Sequence, residues 1–402
     1  NDDVVNRMGA AIKEFGFRIP IIARSDGMIV DGHLRLKAAQ QLGMTELPVT
    51  LADDMTEAQI KAFRLLANRS VAWAQWDNEL LSLELKDLQK FGYDLGLTGF
   101  DGDELKSLTE DDEQEGLTDD DAVPEVPAEA VTRPGETFIL GNHRLLCGDS
   151  TILASVEKVL DGALADMVFM DPPYNVNYAN TAKDKMRGKN RAILNDDLGE
   201  GFEKFLYDAC VNILAVCKGA AYICMSSSEL HTLQKAFTEA GGHWSTYVIW
   251  AKNTFTMGRA DYQRQYEPIL YGWKEGDKHY WCGARDQGDV WFVNKPTVND
   301  LHPTMKPVAL VERAINNSSK SRDIVLDSFG GSGTTMIACE KTGRSARLIE
   351  LDPKYCDVIV KRWQEFTGHA AVLESDGQSF DEIEAKRGHS KKKKAEARPA
   401  NP

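Results

Sequence analysis

Apolar residues recur at helical spacing in some stretches of this chain and form short strand-like runs in others. Differences in this apolar pattern divide the chain into four segments. Residues 1–100 mix both patterns, whereas residues 101–130 have no apolar period. Strand-like runs alternate with helices over residues 131–375, which predicts βαβ units around a parallel sheet. Residues 376–402 are polar and rich in lysine. We therefore expect a small α+β domain, an acidic disordered linker, a larger α/β domain and a disordered basic tail.

The pattern of the first segment predicts alternating helices and strands. Gly32 and Gly43 bracket one of the helices, as glycines at helix ends commonly do. The elements expected are a helix at 8–15, strands at 19–24 and 29–30, a helix between the two glycines, a strand at 47–51 and helices at about 55–70 and 78–91.

A short apolar run in the α/β segment predicts a buried strand that ends on Asp171. Pro172 and Pro173 cannot continue a hydrogen-bonded ladder, so the chain must turn rigidly there. Ligands of open α/β sheets bind at this carboxyl edge, and Tyr174 adds an aromatic face beside the carboxylate. A fixed acceptor beside a stacking surface suits a planar ring that bears an amino group. The alternative is a turn that caps the strand, with the tyrosine packed.

A second strand in this segment ends at Asp327 and is followed by a glycine turn, a helix and a further strand that carries Glu350. Glycines allow the backbone to approach a ligand, and an acid at the end of the next strand can accept ribose hydroxyls. The arrangement therefore predicts a nucleoside-binding βαβ unit. Dehydrogenases use the same device, but this turn reads F-G-G-S-G-T-T rather than G-x-G-x-x-G, and it lies late in the chain.

The net charge and the cysteine content exclude few classes of function. Thirteen acids and one base lie within residues 101–129, so this stretch carries −12 of the net charge of −15. The global charge therefore does not argue against a nucleic-acid partner. The seven cysteines are scattered and include no C-x-x-C pair, which indicates reduced thiols in the cytoplasm and argues against a zinc site.

Three motifs in this order, D-P-P-Y at 171–174, H-P-T-x-K-P at 302–307 and D-S-F-G-G-S-G-T-T at 327–335, resemble those of the DNA amino-methyltransferases that use S-adenosylmethionine. The catalytic motif precedes the cofactor motif, as in the circularly permuted β group. The resemblance covers about residues 137–370. It implies a Rossmann-like methyltransferase fold, S-adenosylmethionine as cofactor and double-stranded DNA as substrate.

The resemblance also implies roles for individual residues. Asp171 and the carbonyl of Pro172 would accept hydrogen bonds from the amine of a flipped base, with Pro173 completing the turn and Tyr174 stacking on the base. D-P-P-Y favours adenine N6, and cytosine N4, for which S-P-P-Y is usual, is the alternative. The residues implied on the cofactor side are Asp149 near the adenine, Thr304 and Lys306 near the methionine carboxylate, Asp327, Phe329, Gly330, Gly331, Ser332 and Gly333 around the methionine portion, and Glu350 at the ribose.

Contacts to DNA are expected in two polar regions of the α/β domain. The stretch at about 252–300 mixes aromatic and basic residues and is the expected target-recognition region, and a polar loop at 175–200 carries further basic residues. Many of the aromatic residues are expected to be core. The candidate DNA-contacting residues are Lys185, Arg187, Lys189, Arg259, Arg264 and Arg285.

The first hundred residues resemble the ParB-like N-terminal domain, through F-G-F and P-I-I at its start and the G-x-x-R-x-x-A run at Gly32, Arg35 and Ala38. The resemblance implies a nucleotide site at Gly32 and Arg35, with CTP as ligand. His33 and Lys37 depart from that family's pattern, and its helical DNA-binding domain is not recognisable here. A DNA- or protein-contact module and a docking domain remain alternatives.

The whole chain resembles the ParB-methyltransferase fusions of bacteria and their phages, with an N-terminal segment removed. A homodimer and a companion restriction endonuclease are compatible with this. The rival functions are a ParB-like clamp on DNA with a vestigial methylase, and methylation of RNA or of a protein amide.

Overall fold

The computed structural model describes residues 2–70, 81–82, 84–85, 88–89, 91–109, 116–176, 194–256, 261–283, 287–294 and 305–387. The chain forms two compact units, Asn1–Asp111 and Asp112–Pro402. Within the described ranges, no helix is long and apolar enough to cross a membrane.

The first unit contains a small sheet with the strand order β2-β1-β3, in which β1 pairs antiparallel with β2 and parallel with β3. Val30, Ala52 and Ile60 form its buried core. The elements follow the order that the sequence predicts: α1 (Asp2–Phe15), β1 (Ile21–Ala23), β2 (Ile29–Asp31), α2 (His33–Gln41), β3 (Val49–Leu51) and α3 (Glu57–Ser70).

A further helix, α4 (Gly102–Thr109), lies where the sequence predicts a linker without structure. Asp101 and Glu104 explain why it forms. The amide of Glu104 donates to Oδ1 of Asp101 at 2.9 Å, and the amide of Asp101 donates to Oε2 of Glu104 at 2.8 Å. This reciprocal pair is a capping box, a local signal that is readable in the sequence D-G-D-E. The expectation of a disordered linker over 101–130 is therefore wrong for this part.

The second unit is built on a ten-stranded sheet with the order β10-β8-β9-β7-β6-β11-β12-β5-β4-β13. The five central strands, from β7 to β5, are parallel, which confirms the α/β prediction. The strands are β4 (Thr137–Leu140), β5 (His143–Cys147), β6 (Met167–Met170), β7 (Ala221–Cys224), β8 (Gly242–Thr256), β9 (Arg264–Lys274), β10 (Val290–Phe292), β11 (Ile324–Asp327), β12 (Ser345–Glu350) and β13 (Val372–Leu373).

Helices cover both faces of this sheet, because its central strands are apolar on both sides. In β6, Met167 and Phe169 belong to one buried cluster, and Val168 and Met170 to the other. The first cluster includes α8 (Val308–Ser318), α9 (Thr334–Lys341) and α10 (Pro353–Thr367), and the second includes α5 (Leu153–Leu160), α6 (Phe202–Val216) and α7 (Leu230–Glu239). The result is a three-layer α/β/α unit.

Two segments that the sequence predicts to be disordered are ordered in part. Residues 116–130 are described and belong to the second unit, in which the amide of Leu117 donates to the carbonyl of Phe366 at 2.8 Å. At the other end of the chain, residues 380–387 are helical, with Phe380 and Ile383 buried. Arg387 pairs with Glu136 at 2.6 Å. Residues 388–402 lie outside the described residues.

The expected target-recognition region, residues 252–300, includes parts of the central fold. Its described residues belong largely to β8, β9 and β10, which extend one side of the sheet. Tyr271 and Trp291 are buried there, as expected for core aromatics, whereas Tyr262 is 92% exposed.

Candidate active site

The pairing of three neighbouring strands brings the predicted catalytic and cofactor carboxylates to one edge of the sheet. β11 lies between β6 and β12 and is parallel to both, with Leu326 opposite Val168. Asp171, Asp327 and Glu350 therefore stand at the carboxyl ends of adjacent strands. The chain runs from β6 to β7 on one side and from β11 to β12 on the other, so the β6–β11 boundary is a topological switch point. Such points are the usual ligand sites of doubly wound sheets.

The catalytic group contains three side chains in mutual contact. The hydroxyl of Tyr174 donates to Oδ1 of Asp171 at 2.6 Å. The ammonium of Lys306 donates to Oδ2 of Asp171 at 2.7 Å and to the hydroxyl of Tyr174 at 2.9 Å. Burial, followed by the charges of Asp171 and Glu267, raises the pKa of Tyr174 well above its ordinary value, so the hydroxyl stays protonated. Asp171 is thus an acceptor held from two sides.

Lys306, which the resemblance implies near the methionine carboxylate of a cofactor, contacts acidic side chains of the protein itself. Its side chain is only 5% exposed, and its ammonium contacts the catalytic carboxylate and Glu267. Burial by itself lowers the pKa of Lys306, but Asp171 and Glu267 outweigh burial and raise the pKa above the ordinary value. The ammonium therefore remains charged in this site.

Glu267, which the sequence reasoning missed, completes the charge network together with Lys252. Glu267 on β9 lies 3.1 Å from the Nζ of Lys306 and also pairs with Lys252 on β8. Burial raises the pKa of Glu267, but the two ammonium groups outweigh burial and lower it to about 2. Lys252 also lies over the ring of Trp250, at 4.6 Å from its centroid. No local sequence pattern identifies Glu267 as a site residue, because its role depends on residues far away in the sequence.

Asp196 is a further residue that sequence reasoning missed. It is buried, and its Oδ1 accepts from the amides of Tyr174 at 3.1 Å and of Val176 at 3.3 Å. Asn175 has a positive φ of 57°, and its side chain accepts from the amide of Leu198 at 2.9 Å. These bonds fix the turn that follows the two prolines, and with it the direction of the Tyr174 ring.

The glycine loop after β11 is shaped by backbone conformation and close packing. Gly331 and Gly333 have φ values of 52° and 83°, which residues with side chains rarely adopt. A Cβ on Gly330 would lie 3.0 Å from Cδ1 of Ile359, so α10 packs directly beneath the loop. Of the other two loop residues, Phe329 packs against Phe205 at 5.6 Å between ring centroids, and Ser332 accepts from Arg362 through its carbonyl at 3.0 Å.

Two carboxylates hold this loop. Glu350 accepts from the amide of Gly331 at 2.7 Å, and Asp327 accepts from the amide of Phe329 at 3.0 Å and from the hydroxyl of Thr335 at 2.6 Å. Burial raises the pKa of both to about 7, although their hydrogen bonds act in the opposite direction. Both oxygens of Asp327 accept hydrogen bonds within its own loop, and the second oxygen of Glu350 likewise accepts from the amide of Asp352 at 2.8 Å.

Asp149 stands at the same edge of the sheet, two residues beyond β5. Cys147 at the end of β5 is opposite Glu350, and the amide of Gly148 donates to the carbonyl of Glu350 at 2.9 Å. Oδ1 of Asp149 accepts from the amide and hydroxyl of Thr151, at 2.9 Å and 2.7 Å. The aspartate therefore follows a strand that pairs with the Glu350 strand, and its carboxylate caps its own turn.

Of the remaining predicted site residues, three lie within the described residues and the others lie outside them. Arg264 is exposed at the start of β9, where it pairs with Thr256. In the first unit, Gly32 precedes α2 with a φ of 96°, and Arg35 donates to Asp31 at 3.0 Å. The predicted residues that lie outside the described residues are Thr304, Lys185, Arg187, Lys189, Arg259 and Arg285.

Residues 165–361 match the N6/N4 family of DNA methylases, and the matched stretch runs from β6, with Asp171 at its end, through the glycine loop to α10. Residues 165–361 belong to this family. The methylase domain thereby joins the predicted catalytic turn and the predicted cofactor loop in one matched unit. Residues 79–134 match the ParB-methyltransferase HTH domain. The ParB-type component is thus confirmed, and it includes a helical domain that the sequence analysis did not recognise.

Relatives of the methylase include enzymes that modify DNA. The type II methyltransferase M.HpaI of Haemophilus parainfluenzae is 25% identical over 273 residues, which cover 60% of this chain and 78% of that protein. The DNA adenine methyltransferase YhdJ of Escherichia coli K12 is 27% identical over 264 residues, which cover 54% of this chain and 81% of that protein. The solved M1.HpyAVI–SAM complex aligns with 22% identity and a TM-score of 0.42 over 54% of this chain and 97% of its own.

Proposed function

We propose that the methylase transfers a methyl group from S-adenosylmethionine to the exocyclic N6 of adenine in double-stranded DNA. The observation that carries this proposal is the position of Asp171, an acceptor at the end of β6, next to the glycine loop at the end of the neighbouring strand β11. A base amine held by Asp171 and a cofactor held by the loop would then meet at the β6–β11 switch point.

The loop residues fit this cofactor. Gly331 has a positive φ and no side chain, so a ligand could approach its backbone closely. Glu350 and Asp149 bring carboxylates that can accept hydroxyl and amino protons of a nucleoside. When bound, S-adenosylmethionine supplies a methyl group on a positively charged sulfur, ready for attack by a nitrogen lone pair. Negative side chains at this edge suit that positive charge.

The chain's own groups would position the amine rather than deprotonate it before attack. Asp171 accepts one amine hydrogen, and the carbonyl of Pro172 accepts the other, which directs the nitrogen lone pair away from the base ring and toward the methyl donor. The nitrogen would gain the methyl group as the methyl–sulfur bond breaks, which leaves S-adenosylhomocysteine, and it would then release its extra proton to solvent. Tyr174 stacks on the base, which must leave the duplex because its amine is otherwise paired. Lys306 holds both Asp171 and Tyr174 in place.

Adenine is proposed over cytosine for two reasons. The motif at 171–174 reads D-P-P-Y rather than S-P-P-Y, and the relative YhdJ is described as a DNA adenine methyltransferase. Cytosine N4 presents an amine of the same geometry and is the second candidate. A companion endonuclease would place the enzyme in a restriction–modification system, which the type II relatives support.

The decisive experiment incubates the full chain with S-adenosylmethionine labelled in its methyl group and duplex DNA, then digests the DNA to nucleosides. N6-methyladenine is the expected product, and N4-methylcytosine would replace the adenine proposal by the second candidate. Neither product, or preferential labelling of competing RNA, would refute the proposed function. Asp171→Ala is the matched control, with labelling lost and binding of S-adenosylhomocysteine retained.

A further inference from the structure

The acidic run that looks like a solvated linker in the sequence lies against the methylase domain. We call residues 116–121 the acidic strap. The amide of Leu117 donates to the carbonyl of Phe366 at 2.8 Å, at the end of α10. A Cβ on Gly116 would lie 2.0 Å from the ring of Phe366, so only glycine permits this approach. The acidic strap is therefore fitted to the surface that it covers.

Charge complementarity explains why the acidic strap is acidic. Arg362 of α10 is 2% exposed, and its Nη2 donates to the carbonyl of Asp120 at 2.8 Å. Burial lowers the pKa of Arg362 to about 10, and the charges of Asp121, Asp120 and Asp119 oppose that effect. A buried guanidinium needs such counter-charges, because an uncompensated buried charge is costly. Asp120 also pairs with Lys341 of α9.

The same arginine reaches the glycine loop. Its Nη1 donates to the carbonyl of Ser332 at 3.0 Å and to the hydroxyl oxygen of Thr334 at 3.4 Å. The hydroxyl of Thr334 donates in turn to the carbonyl of Lys306 at 3.3 Å. Arg362 thus connects the acidic strap to the loop that would hold the cofactor and, through Thr334, to the segment that carries Lys306.

A further hydrogen bond joins the acidic strap to the residue that begins α8, so that the hydrogen bonds through Arg362, Thr334 and the Lys306 segment form a closed ring. Oδ1 of Asp121 accepts from the amide of Val308 at 2.9 Å, and Val308 is the first residue of α8. The helix begins after Pro307 and has no cap from its own N-cap side chain, so the carboxylate of Asp121 provides that acceptor from outside the helix. Lys306 lies two residues before Val308, and its ammonium contacts Asp171 at 2.7 Å.

We propose that the acidic strap is an internal clamp, in which Asp121 and Arg362 are positioning residues that hold the glycine loop and the Lys306 segment in register. The clamp joins the predicted cofactor loop to the catalytic carboxylate through a closed set of hydrogen bonds. Its effect on methyl transfer rests on the proposed function, whereas its effect on the order of the loop does not. The clamp and the proposed function can therefore be refuted separately.

Hydrogen exchange, measured by mass spectrometry on the full chain, tests the clamp without reference to activity. In Asp121→Ala, amides in peptides covering 305–312 and 328–337 are expected to exchange about fivefold to tenfold faster, because a helix N-terminus loses its cap and the ring opens. Asp121→Asn retains the acceptor oxygen and should stay near the wild type at 305–312. Glu125→Gln, an exposed acid of the same stretch, is the control that removes a charge without touching the ring.

Two outcomes would overturn the clamp. If exchange in both peptides stays within twofold of the wild type in Asp121→Ala and in Arg362→Lys, the hydrogen-bonded ring does not order the glycine loop or the Lys306 segment. Faster exchange spread evenly over all peptides would indicate a general loss of stability. The dissociation constant of S-adenosylhomocysteine provides the functional readout, with an expected rise of about fivefold in Asp121→Ala and rescue in Asp121→Asn. A wild-type chain that neither binds this compound nor transfers methyl would refute the proposed function, while the exchange data still decide the clamp.

Discussion

The Nζ of Lys306 lies 2.7 Å from Oδ2 of Asp171, across 135 residues of sequence. This contact links the segment before α8 to the catalytic turn after β6, and it is buried on the lysine side. Because Tyr174 occupies the other carboxylate oxygen, the carboxylate cannot rotate freely. A fixed acceptor is what the proposed positioning of a base amine requires.

Replacement of Lys306 separates two roles for this residue. In Lys306→Met, kcat should fall about 100-fold, because Asp171 and Tyr174 lose their common partner, while the KM for S-adenosylmethionine changes less than about threefold. Steady-state kinetics at varied cofactor concentration measure both constants. If Lys306 instead holds the cofactor carboxylate, as the sequence motif predicts, the KM will rise steeply with kcat largely retained.

Glu267 should contribute to stability through its two lysine partners. Glu267→Gln leaves Lys252 and Lys306 without their shared counter-charge, and it should lower the free energy of unfolding by about 3 kcal/mol. Lys252→Met combined with Glu267→Gln should cost less than the sum of the single changes, because one unpaired ammonium is then absent. Urea denaturation of the four proteins completes the cycle, and strict additivity would contradict the network.

Tyr174 has a hydroxyl and a ring with separable effects. Tyr174→Phe removes the bonds to Asp171 and Lys306 but keeps the ring, so kcat should fall about fivefold at an unchanged KM for DNA. Tyr174→Ala also removes the stacking surface, and the KM for DNA should rise about tenfold or more. Transfer of labelled methyl groups to plasmid DNA at varied DNA concentration measures both. Equal KM values for the two variants would argue against stacking.

Asp327 makes stability depend on pH in a defined direction. Its pKa is raised to about 7 in the folded chain, from an ordinary value of 3.8, so the folded state binds the proton more tightly than the unfolded state. Stability should therefore fall as pH rises from about 4 through about 7. Asp327→Asn keeps an acceptor for the Phe329 amide and lacks this titration, so its stability relative to the wild type should be greater at pH 8 than at pH 5. Thermal unfolding at both pH values measures the difference, and parallel curves would refute the assignment.

Most elements of the second unit were predictable because their signals are local. The strand expected to end at Asp327 does so, and the strand expected to end on Asp171 ends one residue before it, at Met170. Apolar periodicity, prolines and glycines act within a few residues of the chain, so they can be read without the fold. The capping box at Asp101 is also readable in the sequence, but the acidic composition around it indicates a solvated linker, and the two local signals therefore conflict.

What the amino-acid sequence by itself determined is the α/β order, the turn at Asp171 to Tyr174 and the glycine loop, since each depends on neighbouring residues. Only the tertiary structure decided which distant charges meet. Lys306 pairs with Asp171 and Glu267, and the acidic strap surrounds the buried Arg362. A charged side chain is compatible with solvent or with a buried partner, and the choice between them depends on burial and distance, which no local pattern contains.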